Sequence, residues 1–187
     1  SDRKNGYDTK DPCKVLLYND CLMGAFDKEY EIFGLIEYGK YAVKLRHAKK
    51  RAGEFSYLFD TLGKLCSVLD KKADIGIRTR NAYKGNDKER LREIVKDYAV
   101  ILKKLDAFYD AFSAQWHKDD KPFGWEIQDI RLGGLEKRIK YCKNKICDYI
   151  DGKIDSIPEL EEEILTYGTD TMWCPFYKEI VSRSSLG

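Results

Sequence analysis

A chain of 187 residues has room for one domain, and its 43% hydrophobic content is enough to build a core. Its 34 basic and 32 acidic residues leave a formal net charge of +2, too even to set up a long-range field toward nucleic acid or anionic lipid. No apolar run approaches the roughly 20 residues that a bilayer span requires, and no signal-peptide pattern opens the chain.

Residues 1–12 are polar, carry Gly6 and the pair Asp11-Pro12, and read as a tail or linker. Residues 13–187 then form a single helical domain. Val15-Leu16-Leu17-Tyr18, closed by Asn19-Asp20, reads as a strand or another short extended segment that needs a partner surface. Asp27 is placed to cap a first helix. The apolar stripe of that helix, Ile32, Leu35, Ile36, Gly39, Ala42 and Val43, runs to about residue 50, and Gly53 ends it. The second helix carries Phe55, Leu58, Phe59, Leu62, Leu65, Cys66, Leu69 and Ala73, runs into Ile77-Arg78-Thr79-Arg80 and is stopped by Gly85. Asn86 with Glu89 has the form of a capping box. It opens a third helix with the cleanest period of all, Leu91, Ile94, Val95, Tyr98, Ile101, Leu102, Leu105, Phe108, Tyr109, Phe112 and Trp116.

The fourth helix, from Pro122 to Gly152, organises the rest. Trp125, Gln128, Leu132, Leu135, Ile139, Cys142, Ile146 and Tyr149 recur at three and four and form a seam that demands a partner helix. Pro122 is tolerated in a first turn. Gly133 and Gly134 each cost about 1 kcal/mol against Ala in a helix interior. Close approach of another backbone is the expected compensation, with a kink as the other reading. Ser156 and Glu159, around Pro158, cap a short acidic helix through about Leu165. The expected fold is all-α: an up-down antiparallel bundle of four long helices, with a short extended N-terminal segment and a short C-terminal helix.

Reactive chemistry is sparse. The six cysteines, at 13, 21, 66, 142, 147 and 174, form no C-x-x-C pair, and the two histidines, His47 and His117, complete no zinc ligand set. Cys66 and Cys142 fall on apolar faces, where a reduced thiol behaves as a small hydrophobe. Reduced thiols point to the cytoplasm, with a disulfide as the other reading. No Gly-rich phosphate loop, G-x-S-x-G or H-E-x-x-H occurs, so neither cofactor nor metal is expected. The acidic pairs Asp119-Asp120 and Glu161-Glu162-Glu163 lie in polar surroundings, where a carboxyl keeps its ordinary acidity. Interface or substrate-edge candidates are Trp125 with Glu126, Asp129 and Arg131, then Arg78 and Arg80, then Trp173. An indole stacks on a sugar face or anchors an interface, and the arginines bind an acidic partner or cap a helix C-terminus. Core or interface packing is the plainer reading for each.

Several stretches resemble one family. Lys14–Asp27 (KVLLYNDCLMGAFD) is similar to the segment that follows the catalytic barrel in certain bacterial members of glycoside hydrolase family 20. Ile77–Leu91 (IRTRNAYKGNDKERL) and Lys121–Ile139 (KPFGWEIQDIRLGGLEKRI) resemble two motifs of their C-terminal helical domain, the second being the specific one. Met172–Leu186 (MWCPFYKEIVSRSSL) is similar to their ending. Cys21 stands where the family usually has Pro, and Cys174-Pro175 interrupts the terminal motif. The resemblance implies an exo-acting β-N-acetylhexosaminidase as parent. In such enzymes the sugar's acetamido oxygen attacks, a Glu serves as acid/base and the neighbouring Asp orients the acetamido group. This chain contains no adjacent Asp-Glu and no strand–helix alternation for a barrel, so no catalytic residue is assigned. Ser1 in place of Met reads as the start of a piece of that larger enzyme. The implied role is a non-catalytic accessory domain whose partners are the barrel of the same polypeptide and a second subunit, with no nucleic acid and no membrane. The alternative is a free-standing helical interaction module that binds a peptide helix in a groove.

Overall fold

The computed structural model describes residues 12–24, 26, 27, 30 and 36–164. Helices account for the whole architecture, and among the described residues there is no strand. They are α1 (Pro12–Tyr18), α2 (Tyr38–Lys49), α3 (Ser56–Lys72) after a short 3-10 turn, α4 (Ile75–Lys84), α5 (Lys88–Asp119), α6 (Trp125–Ile150) and α7 (Pro158–Glu161). The all-α expectation therefore holds. No helix of the described part is long and apolar enough to cross a membrane.

The long helices pack in chain order. α2 lies on α3, α3 on α5 and α5 on α6, while α4 packs on α5 and α1 on α3. Among the described residues one large core results, beside a small second cluster of Val15 with Phe26, and Tyr98, Ile94, Ile101 and Leu105 of α5 and Leu132, Leu135, Ile139 and Ile146 of α6 lie in the large one. Those residues are the periodic ones, so the seams of the third and fourth helices are the buried faces expected.

Val15–Tyr18 is not extended. It is the last part of α1, and Val15, Leu16, Leu17 and Tyr18 are all buried. Four apolar residues in a row carry no period, so a helix buried on every side looks like a strand in the sequence. The second helix divides at Ala73–Asp74 into α3 and α4. The break frees α4 to pack on α5. The third helix is capped by Asp87, whose side chain accepts the Arg90 amide at 2.8 Å. Asn86 instead takes a left-handed conformation (φ 51°) in the turn between α4 and α5. Asp27 does not cap α2, which starts after Glu37; Ile32 and Leu35 of the expected stripe lie outside the described residues. α6 begins at Trp125, so Pro122 falls in the preceding bend, and Gly124 supplies the left-handed entry (φ 98°). α7 opens on Pro158 without a side-chain cap and stops at Glu161, short of Leu165.

Gly133 and Gly134 contradict the close-approach expectation within this chain. Among the described residues, a Cβ built on either meets nothing within 4 Å. The pair leaves its share of helix backbone open to the outside, at a cost of about 1 kcal/mol each relative to Ala.

Candidate functional site

Two features stand out, one buried and one on the surface. The buried one fastens the N-terminal segment and α7 to the bundle. Arg80 of α4 is only 5% exposed. Its guanidinium donates to Leu22 O, to Leu160 O at 3.0 Å, and to Glu159 O and Glu162 O at 3.2 Å each. Tyr83, one turn on, accepts the Ile157 amide at 3.1 Å and donates to the Glu161 carboxylate. Lys72, at the end of α3 and 2% exposed, donates to Asn19 O at 2.5 Å and Leu16 O at 3.3 Å. It thereby satisfies carbonyls at the C-terminal end of α1 that no helical amide reaches.

Around these cations the turn after α1 is held by its own polar groups. Asn19 donates to Asp27 at 2.8 Å and accepts the Phe26 amide at 3.1 Å. Burial pushes the Asp27 carboxyl above its ordinary value, and Asn19, Arg80 and Lys72 only partly offset that. Asp20 takes the opposite course. Burial would raise it, but the two-pronged contact from Arg138 of α6 (2.6 and 3.2 Å) and the Leu22 and Met23 amides bring it below the usual carboxylate range. Arg138 is correspondingly raised: burial works against its charge, and Asp20 more than compensates.

The surface feature is the outer side of α6. Phe123 (86% exposed), in the bend before α6, and then Ile127 (47%) and Ile130 (75%) lead along it toward Gly133 and Gly134. Beside them an open groove of about 420 Å³ runs between α5 and α6, lined by Leu105, Tyr109, Leu132, Gly133 and the carboxylates of Asp106, Asp110, Asp129 and Glu136. Tyr109 donates to Asp129 at 2.6 Å, and that bond holds the phenol above its ordinary value.

The sequence-derived candidates divide between these places. Trp125 is buried in an aromatic cluster, 5.3 Å from Phe112, 5.5 Å from Tyr109 and 5.9 Å from Trp116 by ring centroids. Glu126 is exposed and accepts the Gly124 amide at 2.8 Å, closing the start of α6. Asp129 is exposed at the groove. Arg131 is half-buried; burial lowers its pKa and the nearby Tyr18 raises it. Arg78 and Arg80, two residues apart, part company. Arg78 turns outward to Asp74 (3.0 Å) and Asp97 (2.7 Å), and Arg80 turns inward to the clasp. Trp173 lies outside the described residues. Lys72, Asn19 and Asp20 escape a sequence reading, because their main partners are backbone groups or residues far away in the chain. Among the described residues no three His, Cys, Asp or Glu side chains converge to hold a metal.

The chain has no match among curated proteins. Its residues 1–173 do match a family model, the Glycoside Hydrolase 20C C-terminal domain. That match covers the clasp, the groove and every helix described above, and the chain belongs to the Glycoside Hydrolase 20C C-terminal domain family.

Proposed function

We propose that this accessory domain of a glycoside hydrolase packs on the catalytic barrel of its parent enzyme through the outer side of α6, and that the parent is an exo-β-N-acetylhexosaminidase. The observation that carries the reading is the exposure of Phe123, Ile127 and Ile130 in line with two glycines before which the described residues leave open space. Burying an apolar side chain of that size contributes about 1.5–3 kcal/mol, so three of them give a docking surface real affinity. Glycine lets a partner's backbone come close where any side chain would hold it off. The carboxylates of the adjoining groove suit a partner that brings cationic or N–H groups to the rim. A second apolar set, Tyr41 and Val43 on α2 with Phe55 in the 3-10 turn and Leu62 on α3, is exposed and available to a second subunit.

Catalysis belongs to the barrel in this reading. The chain carries no adjacent Asp-Glu pair of the kind that the substrate-assisted reaction uses. The test is direct. The isolated chain should not hydrolyse a chromogenic N-acetyl-β-glucosaminide under conditions in which the parent enzyme does, and turnover by the chain alone would overturn the assignment.

A further inference from the structure

The cleft between α2 and α3 carries a charge that its own residues leave unbalanced. Every charged side chain between Glu37 and Glu54 is basic, so α2 and the turn after it are cationic throughout. Arg46 and Lys49, in the last turn of α2, and Lys64, in the middle of α3, line an open cleft of about 200 Å³ together with Asp60, Phe59 and Ser67. Lys49 Nζ is 2.8 Å from one oxygen of Asp60, and Lys64 Nζ is 3.1 Å from the other. Burial would raise the Asp60 carboxyl, but the two lysines bring it below its ordinary value, so it is ionised at neutral pH. Among the described residues Arg46 has no ion-pair partner. Three cations facing one carboxylate leave two positive charges over. The negative end of α2 accounts for cations in its last turn, but not for Lys64, which reaches the same carboxylate from a second helix. Gly63 keeps the cleft open: a Cβ there would already stand 3.5 Å from Leu45 Cβ, and any longer side chain would occupy the space. We propose that this cleft is a binding site for a phosphate monoester, with Arg46, Lys49 and Lys64 on the phosphate oxygens and Phe59 beside the group that carries it.

The charge selects the ligand. A phosphate monoester carries about −1.5 to −2 at neutral pH, which matches the excess. A carboxylate or a sulfate ester carries a single charge and leaves one cation unanswered. The Arg46 guanidinium is built to take two oxygens as a fork, and the lysine ammonium groups act as point charges. Asp60 already holds both lysines in place, so they lose little freedom when the ligand arrives. The cleft is open to solvent, so its affinity is modest and falls with salt. None of its lining residues belongs to α6 or to the exposed apolar set of α2 and α3. The site therefore does not depend on how the domain meets its barrel.

The experiment follows the backbone amide NMR signals of the folded 187-residue chain at physiological salt during titration with inorganic phosphate, a hexose phosphate and the matching hexose sulfate. Co-sedimentation with vesicles containing phosphatidic acid is measured alongside. A saturable shift confined to α2 and α3 is expected with the hexose phosphate, with a dissociation constant of about 1 mM or below and the sulfate ester at least about tenfold weaker. Binding of the hexose phosphate assigns a small-molecule source, and binding of the vesicles alone assigns a lipid headgroup; either supports the site. Arg46→Gln and Lys64→Gln should each weaken binding at least about fivefold. Lys44→Gln, which removes a charge from α2 outside the cleft, should leave it within about twofold. All three side chains reach solvent, so the variants keep the fold. Binding of inorganic phosphate alone would make this a place for an adventitious ion only and overturn the proposal. So would no saturable binding, equal binding of the phosphate and sulfate esters, or a loss in Lys44→Gln as large as in the cleft variants.

Discussion

Arg80→Met should cost about 3–5 kcal/mol of unfolding free energy, read as a fall in the urea midpoint with an unchanged slope. The methionine fills most of the space but leaves the carbonyls of Leu22, Glu159, Leu160 and Glu162 without their donor. A hydrogen bond from a charged donor contributes about 1.5–3 kcal/mol, and a buried carbonyl stripped of its partner loses about 1–3. The effects are not additive, because local opening lets water reach some of the four. Burial lowers the Arg80 pKa and Asp27 raises it, so removing the cation also takes a compensating charge from Asp27. Arg80→Lys should recover less than half of the loss, since one ammonium cannot span four acceptors in the plane of a guanidinium fork. Amide exchange should speed up first at the α7 segment and the turn after α1. A cost below about 1 kcal/mol would mean that the clasp contributes little to holding these elements.

Lys72→Met should cost about 2–4 kcal/mol at neutral pH, and the deficit should shrink in mild acid. The direct loss is the pair of bonds to Asn19 O and Leu16 O at the end of α1. The pH dependence comes from Asp27, whose carboxyl burial already holds above its ordinary value and which Lys72 helps to keep ionised. Without Lys72 the carboxyl moves further up. For a carboxyl with a raised folded pKa, the penalty is fully present above that pKa. It disappears as pH falls through it toward the unfolded value near 3.9. Asp20, with its lowered pKa, works the other way and loses its stabilising contribution only below about pH 4. Urea midpoints of wild type and variant at pH 7 and pH 5 separate the two carboxylates. An equal deficit at both values would remove Asp27 from the account.

Much of this fold is legible in the sequence because α5 and α6 repeat their apolar residues at helical spacing over many turns, from Leu91 to Phe108 and from Leu132 to Ile146. What is not legible has a physical reason in each case. α1 is buried on every side at Val15–Tyr18, so no polar face betrays its period. The break at Ala73–Asp74 contains neither Gly nor Pro, the residues that usually mark one. Arg78 and Arg80 are the same residue type, two positions apart. Only the break that sets the direction of α4 decides which one meets Asp97 and which one enters the core. The acceptors of Arg80 and Lys72 are backbone carbonyls, which every residue carries and no sequence pattern marks. The glycine pair was recognisable as exceptional, but whether it meets a helix of this chain or open space depends on packing alone.

Among the described residues nothing fills the space in front of Gly133 and Gly134, the place where the docking face of α6 admits its partner's backbone. The decisive measurement is a calorimetric titration of this domain, as wild type and as Gly133→Ala/Gly134→Ala, against the separately produced catalytic domain of its parent. The alanines should make the isolated domain more stable by about 2 kcal/mol, since each removes about 1 kcal/mol of helix cost and meets no neighbour. They should nonetheless weaken association at least about tenfold, because two methyl groups hold off a backbone that the glycines admit; tenfold corresponds to about 1.4 kcal/mol. Equal affinity for the two forms, or no association of the wild type at all, would contradict the assignment of α6 as the docking face.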